Sequence, residues 1–276
     1  MGTVSNESPN ILGIAGLNAL VVGGASGIGR ATVHLLAKAG THVVVGDLDG
    51  AAAEVVAEET RALGTSATAL SADVTLEESA IDLIAQAAAF GGNKLDIVIN
   101  IVGMAGWKTL FEFDAESWEL DLRRNLTQHF YVGRAAAHQM IAQGTGGRMA
   151  LVASVSGIYG APNHGAYGAA KAGVMDLART MSQEWAGYNI RVNAVAPDCI
   201  ATPRVQATYD AQGIDTTQQA MDQGVPMGRF GYPEEIAGPL VYLVSDLASF
   251  TTGQSLIIDG GTHAAFPHVK VTTKFE

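Results

Sequence analysis

Short, mainly apolar runs alternate with longer segments of helical composition along most of this chain, and this alternation limits its fold more than any other feature. Runs of this kind are typical of strands that are buried on both faces of a sheet. Strands that alternate with helices require right-handed crossovers, so the sequence predicts an α/β fold with a doubly wound parallel sheet of seven strands. The predicted strands are 19–23, 42–46, 67–72, 96–100, 148–154, 190–195 and 255–259.

Three segments between these runs have clear helical patterns, and the longest is Ser117–Ala142. The other two are Ala51–Leu63, which has glutamates on one side, and Ala166–Ala186. In the longest segment, apolar residues recur at every fourth position, and this spacing predicts a buried stripe. The stripe consists of Trp118, Leu122, Leu126 and Phe130.

The chain of 276 residues is predicted to form a single domain, because it has no internal repeat, low-complexity tract or linker rich in proline and serine. This domain spans residues 18–262. Within it, residues 198–229 form a small, irregular substrate lobe after a strand end, where open α/β sheets bind ligands. Residues 1–17 are expected to be an N-terminal arm, and residues 263–276 are expected to be a C-terminal tail.

Composition excludes several classes of protein and partner. Hydrophobic residues make up 48% of the chain and charged residues only 16%, which excludes a disordered or fibrous chain. The net charge of −11 argues against nucleic acid or an anionic membrane as a partner. The single cysteine, Cys199, cannot form an intrachain disulfide. No basic residue before Arg30 could begin a secretory signal, so we expect a cytoplasmic protein.

A glycine-rich loop, residues 23–30, joins the first predicted strand to the helix that follows. Gly23, Gly27 and Gly29 let the backbone turn sharply and bring its amide groups against a pyrophosphate at the helix N-terminus. Together with the predicted sheet, the loop indicates a Rossmann-type domain that binds a dinucleotide. A tight turn without a ligand is the alternative.

The second predicted strand leads to Asp47, which is 18 residues beyond Gly29. A carboxylate at this point can accept hydrogen bonds from both ribose hydroxyls of the adenosine, and it would repel a 2′-phosphate. No basic residue flanks Asp47, so the sequence favours NAD over NADP as the cofactor. A plain capping role for Asp47 is the alternative.

Tyr167 and Lys171 are four residues apart in a predicted helix, which places both side chains on one face, one turn apart. A tyrosine with a pKa of about 10 is a poor base at neutral pH, but a nearby ammonium stabilises its phenolate. The phenolate can then take the proton of an alcohol while Ser154, at a predicted strand end, holds the substrate oxygen. The alternative is a surface Tyr–Lys pair and a turn serine.

With these residues in place, the chain resembles the classical short-chain dehydrogenase/reductase family over nearly its whole length, from about Asn18 to Thr262. The resemblance implies an oxidoreductase that acts on CH–OH groups with a dinucleotide cofactor. It also implies a homotetramer whose subunits meet through the two longest predicted helices. The residues that match the family's motifs are Gly23, Gly27, Gly29, Asp73-Val74, residues 95–100 with Gly103, Asn125, Ser154, Tyr167, Lys171, Pro197, Thr202 and residues 253–261.

The same resemblance assigns roles to individual positions. It implies that Ser154, Tyr167 and Lys171 are catalytic, and that Asn125 helps to hold a water in the proton relay. The residues implied in cofactor binding are Gly23, Ser26, Gly27, Ile28, Gly29, Asp47, Leu48, Asp73, Val74, Asn100, Gly103, Tyr167, Lys171, Pro197, Ile200 and Thr202.

Three positions near the cofactor loop and the nicotinamide depart from the family's pattern. Val22 stands where the family has threonine, and Ile101-Val102 stand where it has Asn-Ala. In the family, the threonine hydroxyl tethers the loop to the neighbouring strand end by a hydrogen bond. Packing between the apolar side chains found here can replace this hydrogen bond at a net change of about 1 kcal/mol. Asp198 stands where the family has glycine after Pro197.

The substrate pocket is assigned from side chains that follow strand ends. His164, three residues before Tyr167, either contacts the substrate or faces solvent. The seven histidines lack the spacing of metal ligands, so no metal site is predicted. The pocket candidates are Trp107, Ile158, Tyr159, His164 and Cys199, with Leu110 and Pro162 as further wall residues.

Three functions fit these observations. The first is NAD-dependent oxidation of a neutral, fairly apolar secondary alcohol, or reduction of its ketone, with Tyr167 as the acid–base group. The second is an NADPH-dependent reduction of a carrier-linked 3-oxoacyl group, against which Asp47 and the lack of a basic cluster count. The third is a dinucleotide-binding sensor without turnover, against which the intact catalytic trio counts.

Overall fold

The computed structural model of the protein describes residues 10–264. Seven strands form one fully parallel sheet in the order β3-β2-β1-β4-β5-β6-β7. The prediction of a doubly wound parallel sheet is therefore confirmed. The strands are β1 Asn18–Val22, β2 His42–Asp47, β3 Ala67–Ser71, β4 Ile97–Asn100, β5 Gly147–Val152, β6 Ile190–Pro197 and β7 Ser255–Ile258.

Helices cover both faces of the sheet. They are α1 Gly27–Lys38, α2 Gly50–Ala62, α3 Glu77–Phe90, α4 Ala115–Leu122, α5 Gln128–Ala142, α6 Gly165–Trp185, α7 Pro203–Ala211, α8 Thr216–Asp222 and α9 Pro233–Val244. The short helices α7 and α8 form half of the predicted substrate lobe. Among residues 10–264, no helix combines the length and apolar character needed to cross a membrane.

Neighbouring residues of each strand enter two separate hydrophobic layers. In β1, Leu20 and Val22 pack into the layer that contains α3, α5 and α6, whereas Ala19 and Val21 pack into the layer that contains α1, α2 and α9. Side chains alternate between the two faces of a strand, and here both faces are buried. This is why the strands appear in the sequence as continuous apolar runs.

The segment predicted as one helix over 117–142 is interrupted by a π-helical turn at Arg123–Thr127. The extra residue in this turn changes which side chains face the core. The predicted stripe was wrong, because Trp118, Leu122 and Leu126 are only partly buried and Phe130 is 39% exposed. Between Arg123 and His129 the completely buried side chains are instead polar, namely Asn125, Gln128 and His129.

The chain from Asn10 onward packs against the domain, although residues 1–17 were expected to be an arm. Ile14 is completely buried, and its carbonyl accepts a hydrogen bond from the Thr41 hydroxyl (3.1 Å). The Leu12 carbonyl accepts a hydrogen bond from the Asp246 amide (2.8 Å). Residues 1–9 of the expected arm and 265–276 of the expected tail lie outside the described residues.

Candidate active site

The carboxyl ends of neighbouring strands bring the predicted site residues to one edge of the sheet. The loop after β1 holds the glycines, β4 ends at Asn100, and Ser154 follows β5 by two residues. β6 runs to Pro197, at the entrance to the lobe. Ligands of open α/β sheets bind at this edge.

The glycine loop has the backbone geometry of an anion cradle. Gly23 (φ 84°) and Gly27 (φ 52°) are in conformations that disfavour side chains, and the amides of Gly23 and Gly24 donate to the carbonyl of Gly46 (2.8 and 3.1 Å). Ser26 precedes α1, but its side chain makes no capping hydrogen bond within the described residues. The first amides of α1 therefore remain available to a bound anion.

Gly29 is the point of closest approach within this loop. A Cβ atom at Gly29 would overlap the carbonyl oxygen of Gly23 and lie 2.9 Å from Cα of Gly24. The start of α1 can pack this tightly against the loop only because residue 29 has no side chain. The residues of the loop therefore fit a dinucleotide pyrophosphate.

Asp47 faces the glycine loop from the end of β2. Its carboxylate accepts hydrogen bonds from the amides of Ala25 (3.0 Å) and Asp49 (3.1 Å). It is not the cap of the next helix, because Asp49 caps α2 by accepting from the amide of Ala52 (3.0 Å). The carboxylate is thus fixed against the glycine loop, next to the exposed side chain of Leu48.

The neighbouring candidate Asp73 has a local structural partner. One of its carboxylate oxygens accepts hydrogen bonds from the amide (3.0 Å) and the hydroxyl (2.7 Å) of Thr75. Val74 beside it is almost completely buried. Both residues shape the loop after β3.

The α6 helix brings Tyr167 and Lys171 together, as their spacing predicts. Lys171 is completely buried, and its ammonium donates a hydrogen bond to the carbonyl of Val152 (2.7 Å). The Nζ atom lies 5.7 Å from the centre of the Tyr167 ring. Ser154 lies beside the tyrosine just after β5, and its hydroxyl oxygen also accepts from the Ser156 amide (3.2 Å).

Burial shifts the titration of both helix residues toward their neutral forms. Removal from water lowers the pKa of Lys171 to about 7. Burial also raises the pKa of Tyr167, whereas the hydrogen bond with Ser154 acts in the opposite direction. The pair is therefore sensitive to any further charge or hydrogen-bond acceptor that is placed next to it.

The buried ammonium predicts a pH-dependent stability difference between the wild type and Lys171→Met. The unfolded chain binds a proton at lysine up to about pH 10.5, but the folded protein releases it near pH 7. The unfolded state thus holds more protons between these values, and wild-type stability rises with pH across this window. We expect the variant to be more stable by about 2–4 kcal/mol at pH 7, with a difference that shrinks toward pH 10.

Urea unfolding of both proteins at pH 6, 8 and 10, without cofactor, measures this difference. Arg179→Met changes an exposed cation on the same helix and is the matched control. A stability difference between wild type and Lys171→Met that did not change with pH would contradict the assignment of a titrating, buried ammonium.

The π-helical turn aims Asn125 at the loop after β4. Its amide donates to the carbonyls of Asp121 (2.9 Å) and Met104 (2.8 Å), and its oxygen accepts from the amide of Met104 (2.8 Å). A Cβ atom at Gly103 would lie 2.8 Å from Nζ of Lys171 and 3.0 Å from Oδ1 of Asn125. The absence of a side chain at Gly103 therefore lets the loop, Asn125 and Lys171 meet.

Sequence reasoning missed two buried polar residues next to this turn. The Gln128 side chain accepts a hydrogen bond from the side-chain amide of Asn100 (2.8 Å) and donates one to the backbone carbonyl of Val102 (3.0 Å). His129 is completely buried beside it. Their signal in the sequence is that four of the five residues from Asn125 to His129 are polar, inside a segment predicted to be a packed helix.

The residues near the glycine loop that depart from the family's pattern make apolar contacts. Val22 is buried, and its carbonyl accepts from the amide of Ile101 (2.9 Å). A Cβ atom at Gly23 would lie 3.2 Å from Cγ2 of Val102, so this side chain rests directly on the glycine loop. Asp198 is half-buried and accepts a hydrogen bond from the amide of Cys199 (2.9 Å).

The start of the lobe abuts the glycine loop. Thr202 caps α7 by accepting a hydrogen bond from the amide of Val205 (3.3 Å). Its methyl group would lie 3.3 Å from a Cβ atom at Gly27. Pro197 and Ile200 are buried between the sheet edge and the lobe. This arrangement places the lobe next to the predicted nicotinamide end of the cofactor site.

A cluster of tilted aromatic rings lies beside Tyr167. The ring of His164 is 4.3 Å from the ring of Trp107 and 5.3 Å from the ring of Tyr167, measured between centres. Its Nδ1 atom lies 3.2 Å from the Ser156 hydroxyl. His164 therefore packs against Tyr167 and does not simply face solvent.

The other pocket candidates are divided between the site and the core. Tyr159 stacks on His263 with ring centres 5.8 Å apart, whereas Ile158 packs partly against the main core. Cys199 packs against the small apolar cluster of the lobe. Burial and the nearby Asp198 carboxylate raise the pKa of Cys199 to about 12, so its thiol is not a nucleophile at neutral pH.

Residues 10–264 contain no group of three or more histidine, cysteine, aspartate or glutamate side chains that could hold a metal ion.

Comparison with known proteins supports one family. The sequence profile of a family described as enoyl-(acyl carrier protein) reductase matches residues 23–263. The chain is 36% identical to an NAD-dependent glycerol dehydrogenase of Listeria innocua over 244 residues, which cover 88% of this chain and 92% of the relative. It is 40% identical to a cis-4-hydroxycyclohexanecarboxylate dehydrogenase of Sinomonas cyclohexanicum over 245 residues, which cover 88% and 95%.

A solved structure extends the likeness to the whole fold. The crystal structure of a short-chain type dehydrogenase/reductase from Mycobacterium marinum superposes with a TM-score of 0.82 at 30% sequence identity. The match covers 93% of this chain and 98% of the other.

Proposed function

The chain belongs to the short-chain dehydrogenase/reductase family, and from this premise we propose that it transfers hydride between NAD(H) and a neutral, fairly apolar secondary alcohol or its ketone. The observation that carries this proposal is the buried ammonium of Lys171, one helical turn from the Tyr167 phenol and close to the Ser154 hydroxyl. This group of residues can move a proton at a substrate oxygen.

Tyr167 acts as the general base in alcohol oxidation and as the general acid in ketone reduction. Because burial raises the pKa of its phenol, the phenolate forms only when positive charge is close. The Lys171 ammonium supplies this charge from the buried side. Ser154 donates a hydrogen bond to the substrate oxygen and turns the hydroxyl toward Tyr167. The dinucleotide, when bound, accepts or supplies the hydride.

The glycine loop and Asp47 hold the cofactor in this proposal. The first amides of α1 bind the pyrophosphate, and the close packing at Gly29 lets the backbone approach it. The Asp47 carboxylate binds the adenosine ribose. We assign NAD because a carboxylate fixed beside the loop would repel a 2′-phosphate by on the order of 1–4 kcal/mol.

Asp47→Asn is therefore expected to weaken the preference for NAD. The variant keeps a side-chain oxygen for the backbone amides of the loop but loses the charge, so the ratio of kcat/KM for NAD to that for NADP should fall by about tenfold or more. Asp49→Asn removes a carboxylate two residues away that caps α2, and it should leave the ratio unchanged. Equal ratios in Asp47→Asn and the wild type would reject this role of Asp47.

Exposed apolar side chains support a substrate of low polarity. The loop after β4 presents Met104, Trp107, Leu110 and Phe111 to solvent, and Trp107 and Leu110 contact the helix that carries Tyr167. Such a cluster at the mouth of a site gains free energy when an apolar molecule covers it.

A screen of cofactors and alcohols tests the proposal directly. Aliphatic, cyclic, aryl and steroid secondary alcohols are each offered with NAD and with NADP, and the absorbance of reduced nicotinamide is followed. Turnover with NAD supports the proposal. Preference for NADP with 3-oxoacyl thioesters would favour the carrier-linked reductase, and NAD binding without turnover of any alcohol would favour a sensor.

We also propose that the protein is a cytoplasmic homotetramer. Support comes from the apolar residues on the outer side of the α4–α5 region, where Leu120 and Phe130 are exposed in the single chain. A face of this kind is suited to burial against another subunit.

A further inference from the structure

His129 is a buried imidazole that the proposed mechanism does not use. It lies in α5, one helical turn after Asn125, and its exposed fraction is 0%. Neither of its ring nitrogens has a hydrogen-bond partner among residues 10–264. Buried polar atoms in native proteins are paired with protein groups or with ordered water, so this ring needs partners.

Two groups near the ring define what those partners can be. One is the carbonyl of Val102, which also accepts a hydrogen bond from Gln128 and has a second lone pair. The other is Lys171, because a Cβ atom at Gly103, the residue after Val102, would lie 2.8 Å from its Nζ atom. The Lys171 ammonium has three N–H groups, and the Val152 carbonyl takes one of them.

Other elements packed around α5 present no further charge to this ring within the described residues. Asn100 of β4 and Asn125 of the π-helical turn are neutral and hydrogen-bonded. The nearby carboxylate of α3, Glu77, forms an ion pair with Arg134 at the surface. Asp121 of α4 is also buried, but its carboxylate accepts a hydrogen bond from the Gly106 amide (3.1 Å). Lys171 and the phenol of Tyr167, both on α6, are the other titratable groups of this region.

Because of burial and the positive charge of Lys171, the pKa of His129 lies well below its usual range. The imidazole is therefore neutral at physiological pH and has one N–H donor and one acceptor nitrogen. The donor matches the Val102 carbonyl. The acceptor matches a group that can donate a hydrogen bond, which is what the remaining N–H groups of Lys171 offer.

We propose that His129 is a positioning residue for Lys171, to which it is linked by one ordered water that accepts from the ammonium and donates to the acceptor nitrogen of the ring. This inference rests on the proposed function, because in that function the charge of Lys171 stabilises the Tyr167 phenolate. The link stabilises the charged lysine in a site where burial disfavours it. A charged lysine in turn favours the Tyr167 phenolate.

Replacing His129 with leucine removes the acceptor while keeping a side chain of similar size. The ammonium is then less stable, the phenolate forms at higher pH, and the midpoint of the kcat–pH profile for alcohol oxidation should shift upward by about one unit. At pH 7 this gives a loss of kcat of about tenfold. His129→Gln retains a side-chain acceptor and should restore most of the wild-type profile.

Val132→Ala is the matched control, because it also disturbs a buried position of α5 but changes no hydrogen bond. It should lower stability without moving the midpoint. A wild-type midpoint in His129→Leu, or a shift of equal size in Val132→Ala, would overturn the proposal. A shift that His129→Gln fails to restore would also overturn it.

A second readout needs neither turnover nor a variant that folds. A high-resolution crystal structure of the wild type should contain a water within about 3.2 Å of a His129 ring nitrogen and of the Lys171 ammonium. A structure with no water between the His129 ring and the Lys171 ammonium would reject the inference even if the enzyme is active. If no alcohol is oxidised, the proposed function fails by itself, and the bound water still decides the role of His129.

Discussion

Tyr167→Phe is expected to lower kcat for alcohol oxidation by about 10³-fold, while NAD affinity stays within about twofold of the wild type. The change removes one oxygen atom and keeps the ring, whose stacking against His164 does not depend on the hydroxyl. Without the phenol, the site loses the hydroxyl that takes the alcohol proton beside Ser154. The Lys171 side chain, whose pKa is about 7, stays bound to the Val152 carbonyl on the buried side.

The measurement is single-turnover kinetics with saturating NAD, together with calorimetric titration of NAD. Tyr188→Phe removes a phenol from an exposed position after α6 and should leave both quantities unchanged. If Tyr167→Phe kept more than a tenth of wild-type kcat, another group would have to transfer the proton. His164, which lies against Tyr167, would then be the first residue to test.

The same residues explain how much of this site can be derived from the sequence. Strands buried on both faces produce apolar runs that are hard to mistake, and helical spacing places Tyr167 and Lys171 on one face of α6. The fold and the meeting of these two side chains follow from such short-range patterns. The sequence predicts Ser154 as the last residue of a strand, but β5 ends at Val152, and the Ser154 hydroxyl oxygen caps the turn that follows.

The interior of the Asn125–His129 region could not be derived in this way. A π-helical turn changes which residues after it face the core, and the spacing of apolar residues in the sequence does not reveal this change. Gln128 is buried because the backbone of the loop after β4 needs a hydrogen-bond partner, and this need depends on the position of that loop. Ile14 is another example, since a short segment before β1 reveals its burial only when the sheet and Thr41 are in place.

Gly29→Ala is expected to weaken NAD binding by more than about 100-fold. The new methyl group would overlap the carbonyl oxygen of Gly23 and lie 2.9 Å from Cα of Gly24, and both are backbone groups. The backbone cannot rotate away as a side chain can, so the loop and the start of α1 must move apart. Extra atoms in a packed region typically cost about 1–3 kcal/mol of stability, and here the movement also opens the anion cradle.

Gly238→Ala separates this steric effect from the general effect of replacing a helical glycine. Gly238 lies within α9, which packs against α1, and a Cβ atom there meets nothing within 4 Å. That variant should gain about 0.5–1 kcal/mol of stability and bind NAD normally. Calorimetric titration with NAD and urea unfolding measure both effects. If Gly29→Ala were destabilised but bound NAD as tightly as the wild type, the pyrophosphate could not lie against this loop, and the cofactor assignment would have to be rebuilt from Asp47 alone.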